Sequence, residues 1–431
     1  MLLSRLLGRL WFRTLQREGD LPAGPALLVL NHPNGLLDAL VPSALLDPPP
    51  RFVAKATLWR IPVLWPFLAL FAPIAVHRRQ DQEVTPEATA RTFAGVHRAL
   101  ANGEVVALFP EGISHAGADL ARLKTGAARL CLTSPVPVRL VPAGLVYGRR
   151  QRFRHSVLLR LGPPIPWEDL AGAGADPDAV RRLTERIREA LLPLTLHGPQ
   201  ADVRQLAEKL AWLLAEGPGG RVDLEKVRLR VRALLSRLEE LDAWRRASLA
   251  TRVEAARREL RALGVRPDQI GHAYTAEEIA RWAPRAAGHL VAVALLFPAV
   301  AAFWPAYRAC GWVADRLTSE ADQVATFRLV AGATLLPIWT AALTVAAVSL
   351  AGITGLAAIA AAAAAAFAAL PLLDRLREDA QAIAGFRAAR HPVAVARLMR
   401  ERAALLSAFP ELADPAPTRE TRSSSSPFRS S

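Results

Sequence analysis

A histidine in a turn is the chain's strongest candidate for chemistry. The run Leu28-Val29-Leu30-Asn31-His32-Pro33-Asn34-Gly35 carries His32 out of an apolar strand into a Pro-Asn-Gly turn, and Asp38 follows in the first turn of a helix. Deprotonating a hydroxyl at neutral pH calls for a base near pKa 7, which imidazole supplies. A carboxylate on the second ring nitrogen fixes the tautomer and stabilises the imidazolium. Six residues of continuous helix turn by about 600°, which parts the two side chains, so the Pro-Asn-Gly turn must bring them together. Alone the pair is a weak signal, since a turn histidine more often serves structure.

Further stretches strengthen it. Phe109-Pro110-Glu111-Gly112-Ile113-Ser114-His115 follows an apolar strand. There Gly112 lets backbone N–H groups approach an anion and Ser114 adds a donor. Arg122 and Lys124 arrive just before a helix start at Thr125-Gly126, where anions are also favoured. Val76-His77-Arg78-Arg79 ends another strand with an arginine pair, a common fork for phosphate. One base dyad thus stands in chain order with three loops suited to phosphate.

The elements that must position these residues read as an α/β domain. Strand candidates lie at 26–30, 51–54, 73–76, 105–109, 138–145 and 157–161, with helical stretches at 36–46, 88–101 and 125–132. From 176 to about 281 the pattern is helical and heavily charged, interrupted by Gly217-Pro218-Gly219-Gly220.

The apolar residues point to a membrane. Forty-five residues between Arg328 and Asp374 carry no charge. As helix they would extend about 68 Å, twice a bilayer core of about 30 Å. Two antiparallel membrane helices, 329–351 and 354–373, turning at Gly352 and Gly355, are expected. Arginines at both ends (Arg328, Arg375, Arg377) put those ends in the cytosol. A weaker stretch, 286–307, is broken by His289, Pro298 and Pro305, and reads equally as a bent interfacial segment or a span. At the N-terminus Leu3, Leu6, Leu7, Leu10 and Trp11 recur at helical spacing beside Arg5, Arg9, Arg13 and Arg17, as in a helix lying among headgroups.

Composition narrows the field. The chain has 431 residues, 54 basic against 39 acidic, and only four lysines: Lys55, Lys124, Lys209 and Lys226. The excess of +15 is spread along helices with acidic neighbours, unlike a nucleic-acid surface, so no nucleic acid is expected as partner. Two cysteines exclude a disulfide scaffold. No Gly-x-Ser-x-Gly elbow is present, and Cys131 lies in an apolar run as core, which leaves no obvious nucleophile. No clustered carboxylates accompany His32, Asp38 and His77, so no metal is expected.

Asn31-His32 with Asp38, the stretch 52–62, Arg78-Arg79, Phe109-Pro110-Glu111-Gly112 and Val141-Pro142 together resemble, in order, the four blocks of the glycerolipid acyltransferases, over about residues 24–165. Five residues stand between His32 and Asp38 where the familiar form has four, and Ile113-Ser114-His115 replaces the usual continuation of the third block. Both features, with Asp322, Thr326 and the run to Trp339, resemble the dual-substrate glycerol-3-phosphate/dihydroxyacetone-phosphate acyltransferase branch.

The resemblance implies a glycerol-phosphate acyltransferase-like α/β domain with a mixed, mostly parallel sheet, followed by a helical region and membrane helices. It implies acyl transfer from acyl-CoA or acyl carrier protein, as co-substrate and with no cofactor, to a hydroxyl of glycerol-3-phosphate or its 1-acyl form, in phosphatidic acid synthesis. His32 is then the base and Asp38 its orienting carboxylate. Arg78 or Arg79, with the Glu111-Gly112 loop, Ser114 and Lys124, hold the substrate phosphate. Glu111 itself would hold an arginine or the acceptor's free hydroxyl, and Lys55 would meet the phosphate, the thioester donor or only water. The alternative is a catalytically idle membrane-surface protein that keeps the fold. The expected organisation is a surface helix (1–20), the acyltransferase domain (21–199), a charged helical region (200–285), membrane segments (286–375, hairpin about 329–373), an amphipathic helix (376–412) and a disordered tail (413–431). An anionic membrane is the expected partner, with the catalytic domain on the cytoplasmic face, as at a bacterial inner membrane.

Overall fold

The computed structural model describes residues 2–76, 85–115, 117, 120–148, 150–196, 201–214, 224–270, 275–320 and 322–409. The arginine pair Arg78-Arg79, the Gly217–Gly220 break and the tail from 413 lie outside them.

Seven strands form one sheet: β1 (Phe12–Glu18), β2 (Ala26–Leu30), β3 (Arg51–Lys55), β4 (Ile74–Val76), β5 (Val105–Leu108), β6 (Arg139–Tyr147) and β7 (His155–Leu161). Their spatial order is β1-β7-β6-β2-β5-β3-β4, and only the β6–β7 pair is antiparallel. Parallel strands are covered on both faces, which is why the central strand β2 reads as the unbroken apolar run Ala-Leu-Leu-Val-Leu. Its alternate side chains feed two cores. Leu27 and Val29 pack with α4 (Pro86–Ala101), α5 (Gly126–Leu132) and α6 (Pro177–Leu191). Ala26, Leu28 and Leu30 face α2 (Leu36–Leu45), α3 (Trp65–Phe71) and Trp11 of α1 (Leu2–Trp11).

The N-terminus differs from the sequence expectation. The helix stops at Trp11, and Phe12–Glu18 becomes β1, paired with β7. The arginine stripe is therefore divided, with Arg13 and Arg17 on a strand. Phe12, buried at the head of β1, is worth more in the sheet than in a prolonged surface helix. The remaining helix packs Gly8 against Ala44 of α2 and leaves Leu2, Leu3 and Leu6 exposed.

The helices beyond the sheet fall in two compact units. One unit comprises residues 1–198 and 282–377, the other 199–281 and 378–431. In the second, α7 (Ala201–Leu213), α8 (Leu224–Glu239), α9 (Ala243–Leu263) and the C-terminal α13 (Pro392–Ala408) bury leucines and valines among themselves, with Arg252 to Glu401 at 2.8 Å on the surface. The span 376–412 is not one helix, because His391-Pro392 restarts it.

Three described helices are long and apolar enough to cross a membrane: α10 (Ala276–Leu317), α11 (Val324–Ala351) and α12 (Ile353–Ala388). α11 and α12 turn at Gly352 (φ 61°), and a side chain at Gly355 would overlap the Ala347 backbone. α10 runs unbroken through Pro284, Pro298 and Pro305 and is joined to α11 by Trp339 Nε1 donating to the Ala302 carbonyl at 2.8 Å. The base of α11 enters the sheet's second core through Ala325 and Leu329. Arg328 contacts Gln151 O (2.8 Å) and Asp315 (2.9 Å), so this boundary arginine has protein partners.

Candidate active site

Because β2, β5, β3 and β4 run parallel, their C-terminal ends share one sheet edge. That edge receives His32 after β2, Phe109 after β5, Lys55 at the end of β3 and Val76, where β4 stops. The ladder between β2 and β6 ends at Leu30, and Asn31 prolongs it with its side chain: Oδ1 accepts from Leu145 N (2.7 Å) and Nδ2 donates to Leu145 O (3.1 Å). His32 therefore leaves the sheet from a fixed point.

The turn that follows brings His32 and Asp38 together. Gly35 has φ 57° and ψ −127°, a conformation for which glycine is needed at the second position of a type II′ turn, and Leu37 N reaches back to Asn34 O at 3.3 Å. His32 Nδ1 then lies 2.8 Å from Asp38 Oδ2. The same oxygen accepts from Asn34 N (2.6 Å), and Oδ1 accepts from the Tyr147 hydroxyl (2.6 Å). Asp38 is fully buried and accepts from both Asn34 N and the Tyr147 hydroxyl, which makes Nδ1 a donor and leaves the lone pair on Nε2. The imidazole stacks on Phe109, with centroids 3.9 Å apart and planes 5° apart, while its side chain keeps 16% of its surface open. Burial first, and then the Asp38 carboxylate, hold the Tyr147 phenol protonated well above its ordinary range, so it remains a donor.

Glu111 has a different part from the one expected. Its Oε1 accepts from His32 N (2.8 Å), and its Oε2 accepts from Ala121 N (2.9 Å) and contacts His115 Nε2. His115 N in turn donates to His32 O at 3.1 Å. The buried carboxylate is thus a clamp on the His32 main chain, and among the described residues its side-chain partner is His115 rather than an arginine. Burial pushes its pKa up, but the bonds from His115, Ala121 and His32 outweigh that and hold it below the usual carboxylate range. The bond to Glu111 raises the pKa of His115, opposed by partial burial and by the charge of Arg150.

Ser114 is likewise engaged, its Oγ donating to Asp322 Oδ2 at 2.6 Å. Gly112 (φ 72°) gives room for the stem of Lys124, whose Cγ would lie 3.3 Å from an added Cβ. Lys124 N donates to Pro110 O at 2.7 Å, and its side chain is exposed. Lys55 is half-buried at the same sheet edge. Cys131 is buried, which pushes its thiol pKa up and leaves it inert.

Sequence reasoning gave four residues here no place at the site, although Asp322 and Thr326 carried part of the family likeness. Tyr147 lies beyond the strand read as 138–145. Asp322 and Thr326 come from the base of α11, where Thr326 Oγ1 accepts from Leu36 N at 3.0 Å. Arg150 accepts at its carbonyl from Asn34 Nδ2 (3.0 Å), and its charge acts on both Tyr147 and His115. Only Arg150 had a local signal, an arginine pair at a strand end like Arg78-Arg79.

The arrangement is a buried carboxylate, a fixed imidazole with one free face and nearby cations, suited to deprotonating a hydroxyl beside a phosphate. Residues 13–146 match the family model named Acyltransferase. An uncharacterized acyltransferase of Schizosaccharomyces pombe is 34% identical over 116 residues, 25% of this chain and 17% of that protein. Glycerol-3-phosphate O-acyltransferase 2 of Saccharomyces cerevisiae is 32% identical over 130 residues, 28% of this chain and 18% of that protein. This chain thus spans less than a fifth of the length of these curated relatives. The solved 1-acyl-sn-glycerophosphate acyltransferase PlsC of Thermotoga maritima aligns with TM-score 0.33 and 17% identity, over 44% of this chain and 77% of that one. The stretch matched by the Acyltransferase family model, residues 13–146, holds His32, Asp38 and Glu111.

Proposed function

We propose that this protein moves a fatty acyl chain from an acyl thioester, acyl-CoA or acyl carrier protein, to a hydroxyl of glycerol-3-phosphate or 1-acylglycerol-3-phosphate, a step of phospholipid synthesis. The observation that carries the reading is the His32–Asp38 pair, with Nδ1 committed to Asp38 and Nε2 left to act. Nε2 takes the hydroxyl proton as the oxygen attacks the thioester carbonyl. The tetrahedral oxyanion then collapses, the C–S bond breaks, and the imidazolium returns the proton to the departing thiolate. Asp38 orients the ring and stabilises its charged form. Lys124, with Lys55, Arg150 and the Arg78-Arg79 pair, supplies cations for the acceptor phosphate. Acyl donor and product both carry long chains, so a site at a membrane surface suits them. The arginines at the hairpin ends favour the cytoplasmic face.

The test supplies labelled acyl-CoA with each acceptor in turn to membranes holding the wild-type protein or His32→Ala. A positioned general base contributes about 10²–10⁴-fold, so the variant should lose at least about a hundredfold. If neither acceptor is acylated, or the loss is under tenfold, the mechanism is wrong.

A further inference from the structure

We infer that the segment 56–65, which carries the chain from the end of β3 to the start of α3, is a foot on the membrane. Its partner is the headgroup and glycerol level of the leaflet from which α11 enters the bilayer, a surface bearing anionic phosphate. The inference goes beyond acyl transfer and rests on where the apolar side chains of this segment stand relative to the base of α11.

The level of the bilayer surface is marked by where α11 leaves the catalytic domain. The buried residues of α11 are Val324, Ala325, Leu329 and Ala331, all in its first eight positions. Beyond Ala331 the helix has no buried residue, and it is long and apolar enough to cross. The turn Pro62–Leu64 packs against α11, and Leu64 joins the core that holds Ala325 and Leu329. The segment 56–65 therefore stands at the level where α11 departs.

A second stretch reaches the same base by another route. Ser114 Oγ donates to Asp322 Oδ2 at 2.6 Å, two residues before α11 begins. That bond brings the neighbouring Ile113 to the start of α11, where its side chain is exposed.

The side chains describe what the segment meets. Trp59, Ile61, Val63 and Trp65 are 37%, 43%, 38% and 57% exposed, and the two 3-10 turns that carry the segment, Ala56–Arg60 and Pro62–Leu64, bury no residue. Four large apolar side chains so close together form a patch that needs a partner. Trp65 Nε1 donates to Trp59 O at 3.0 Å, which ties the two ends of the patch to each other. Charge says which partner. From Pro48 to Gln80 the sequence has no acidic residue but five cations, Arg51, Lys55, Arg60, Arg78 and Arg79. Indoles at the glycerol level and cations among phosphates are the chemistry of an anionic leaflet surface. The foot begins beside Lys55, on the sheet edge that carries His32, so seating it holds that edge close to the lipid.

The experiment uses the full chain in vesicles of phosphatidylethanolamine and phosphatidylglycerol, and does not read activity. A fluorophore is attached at Ile61→Cys or Val63→Cys, the two buried native cysteines setting the background. Ala341→Cys, ten residues past Ala331 and so about 15 Å further along α11, is the deep reference. Arg181→Cys on α6, which packs on the other face of the sheet, is the reference outside the membrane. Lipids carry a quencher either at the headgroup or near the end of an acyl chain. The probes at positions 61 and 63 should lose emission mainly to the headgroup quencher, the probe at 341 to the chain quencher, and the probe at 181 to neither. Insensitivity of positions 61 and 63 to both lipids overturns the inference, as does quenching there as deep as at 341. Recovery of their emission on adding long-chain acyl-CoA below its micellar concentration would give the patch to the donor's chain instead, and would also overturn it.

Discussion

Gly35 is where the catalytic turn and the membrane hairpin meet, and substituting it tests that junction. An alanine Cβ there would fall inside van der Waals contact of Thr326 Oγ1 and 3.4 Å from the Asp322 carbonyl. The backbone at φ 57° and ψ −127° would be strained as well, by about 1–3 kcal/mol. Pushing Thr326 away also removes its bond to Leu36 N, worth about 0.5–1.5 kcal/mol. Together these come to about 2–4 kcal/mol, on the order of 30- to 1,000-fold in kcat/KM if the turn must regain its geometry for reaction. Thr326→Ala alone loses only the hydrogen bond, about 3- to 10-fold. The double variant Gly35→Ala/Thr326→Ala keeps the backbone strain but not the collision. Its loss should therefore be smaller than the product of the single losses, by about 1 kcal/mol of coupling. The assay is acyl transfer in proteoliposomes at several acceptor concentrations, with thermal unfolding as a control for folding. Multiplicative losses, or a Gly35→Ala enzyme within twofold of wild type, would refute the junction.

Other outcomes follow from the same geometry. Tyr147→Phe removes a donor from the buried Asp38 carboxylate, a bond to a charged group worth about 1.5–3 kcal/mol; kcat should fall about 10- to 100-fold with KM little changed, and an unchanged kcat would contradict the role. The Glu111–His115 pair links stability to pH. The raised His115 pKa stabilises the fold below about pH 6.5 and that gain is lost as pH rises through its folded value; the depressed Glu111 pKa stabilises above about pH 4.5 and that gain is lost as pH falls through its folded value. The contribution of the pair should peak between those limits, seen as the difference in melting temperature between wild type and His115→Ala across pH 4–8; a difference independent of pH would count against it. Lys124→Ala should raise KM for the phosphorylated acceptor about tenfold with kcat nearly unchanged, and Lys124→Arg should recover part of it; a pure kcat effect would remove Lys124 from phosphate binding.

What the sequence revealed follows how local each signal is. His32 and Asp38 stand six apart, the turn between them is written in Pro-Asn-Gly, and the apolar run of β2 announces a strand buried on both faces. The four-block order was likewise visible along the chain. Tyr147 acts on Asp38 from 109 residues away and Thr326 on Leu36 from 290, across strands and helices whose pairing no local pattern encodes. Glu111 was noticed but given a substrate-facing task, because the sequence does not show that His32 N, Ala121 N and the His115 ring all converge on it. The extra residue between His32 and Asp38 was seen as an insertion; only the structure shows Thr326 occupying the space beside Gly35. At the N-terminus, helical spacing of leucines and arginines concealed a strand, since seven residues of β1 find their partner some 140 positions later in β7.

The entry of Ala325 and Leu329 into the sheet's second core has a consequence for how the protein is made. A ribosome releases the chain from its N-terminus, so β2, α2 and α3 emerge well before the residues that complete their apolar cover. Until α11 arrives, this face stays open and Leu36 N waits for Thr326. Insertion of the hairpin into the bilayer and closure of the catalytic core therefore become one late event in biosynthesis. A nascent chain stalled before residue 324 would carry the His32–Asp38 pair on an unfinished apolar face, the kind of transiently exposed surface that is prone to aggregate.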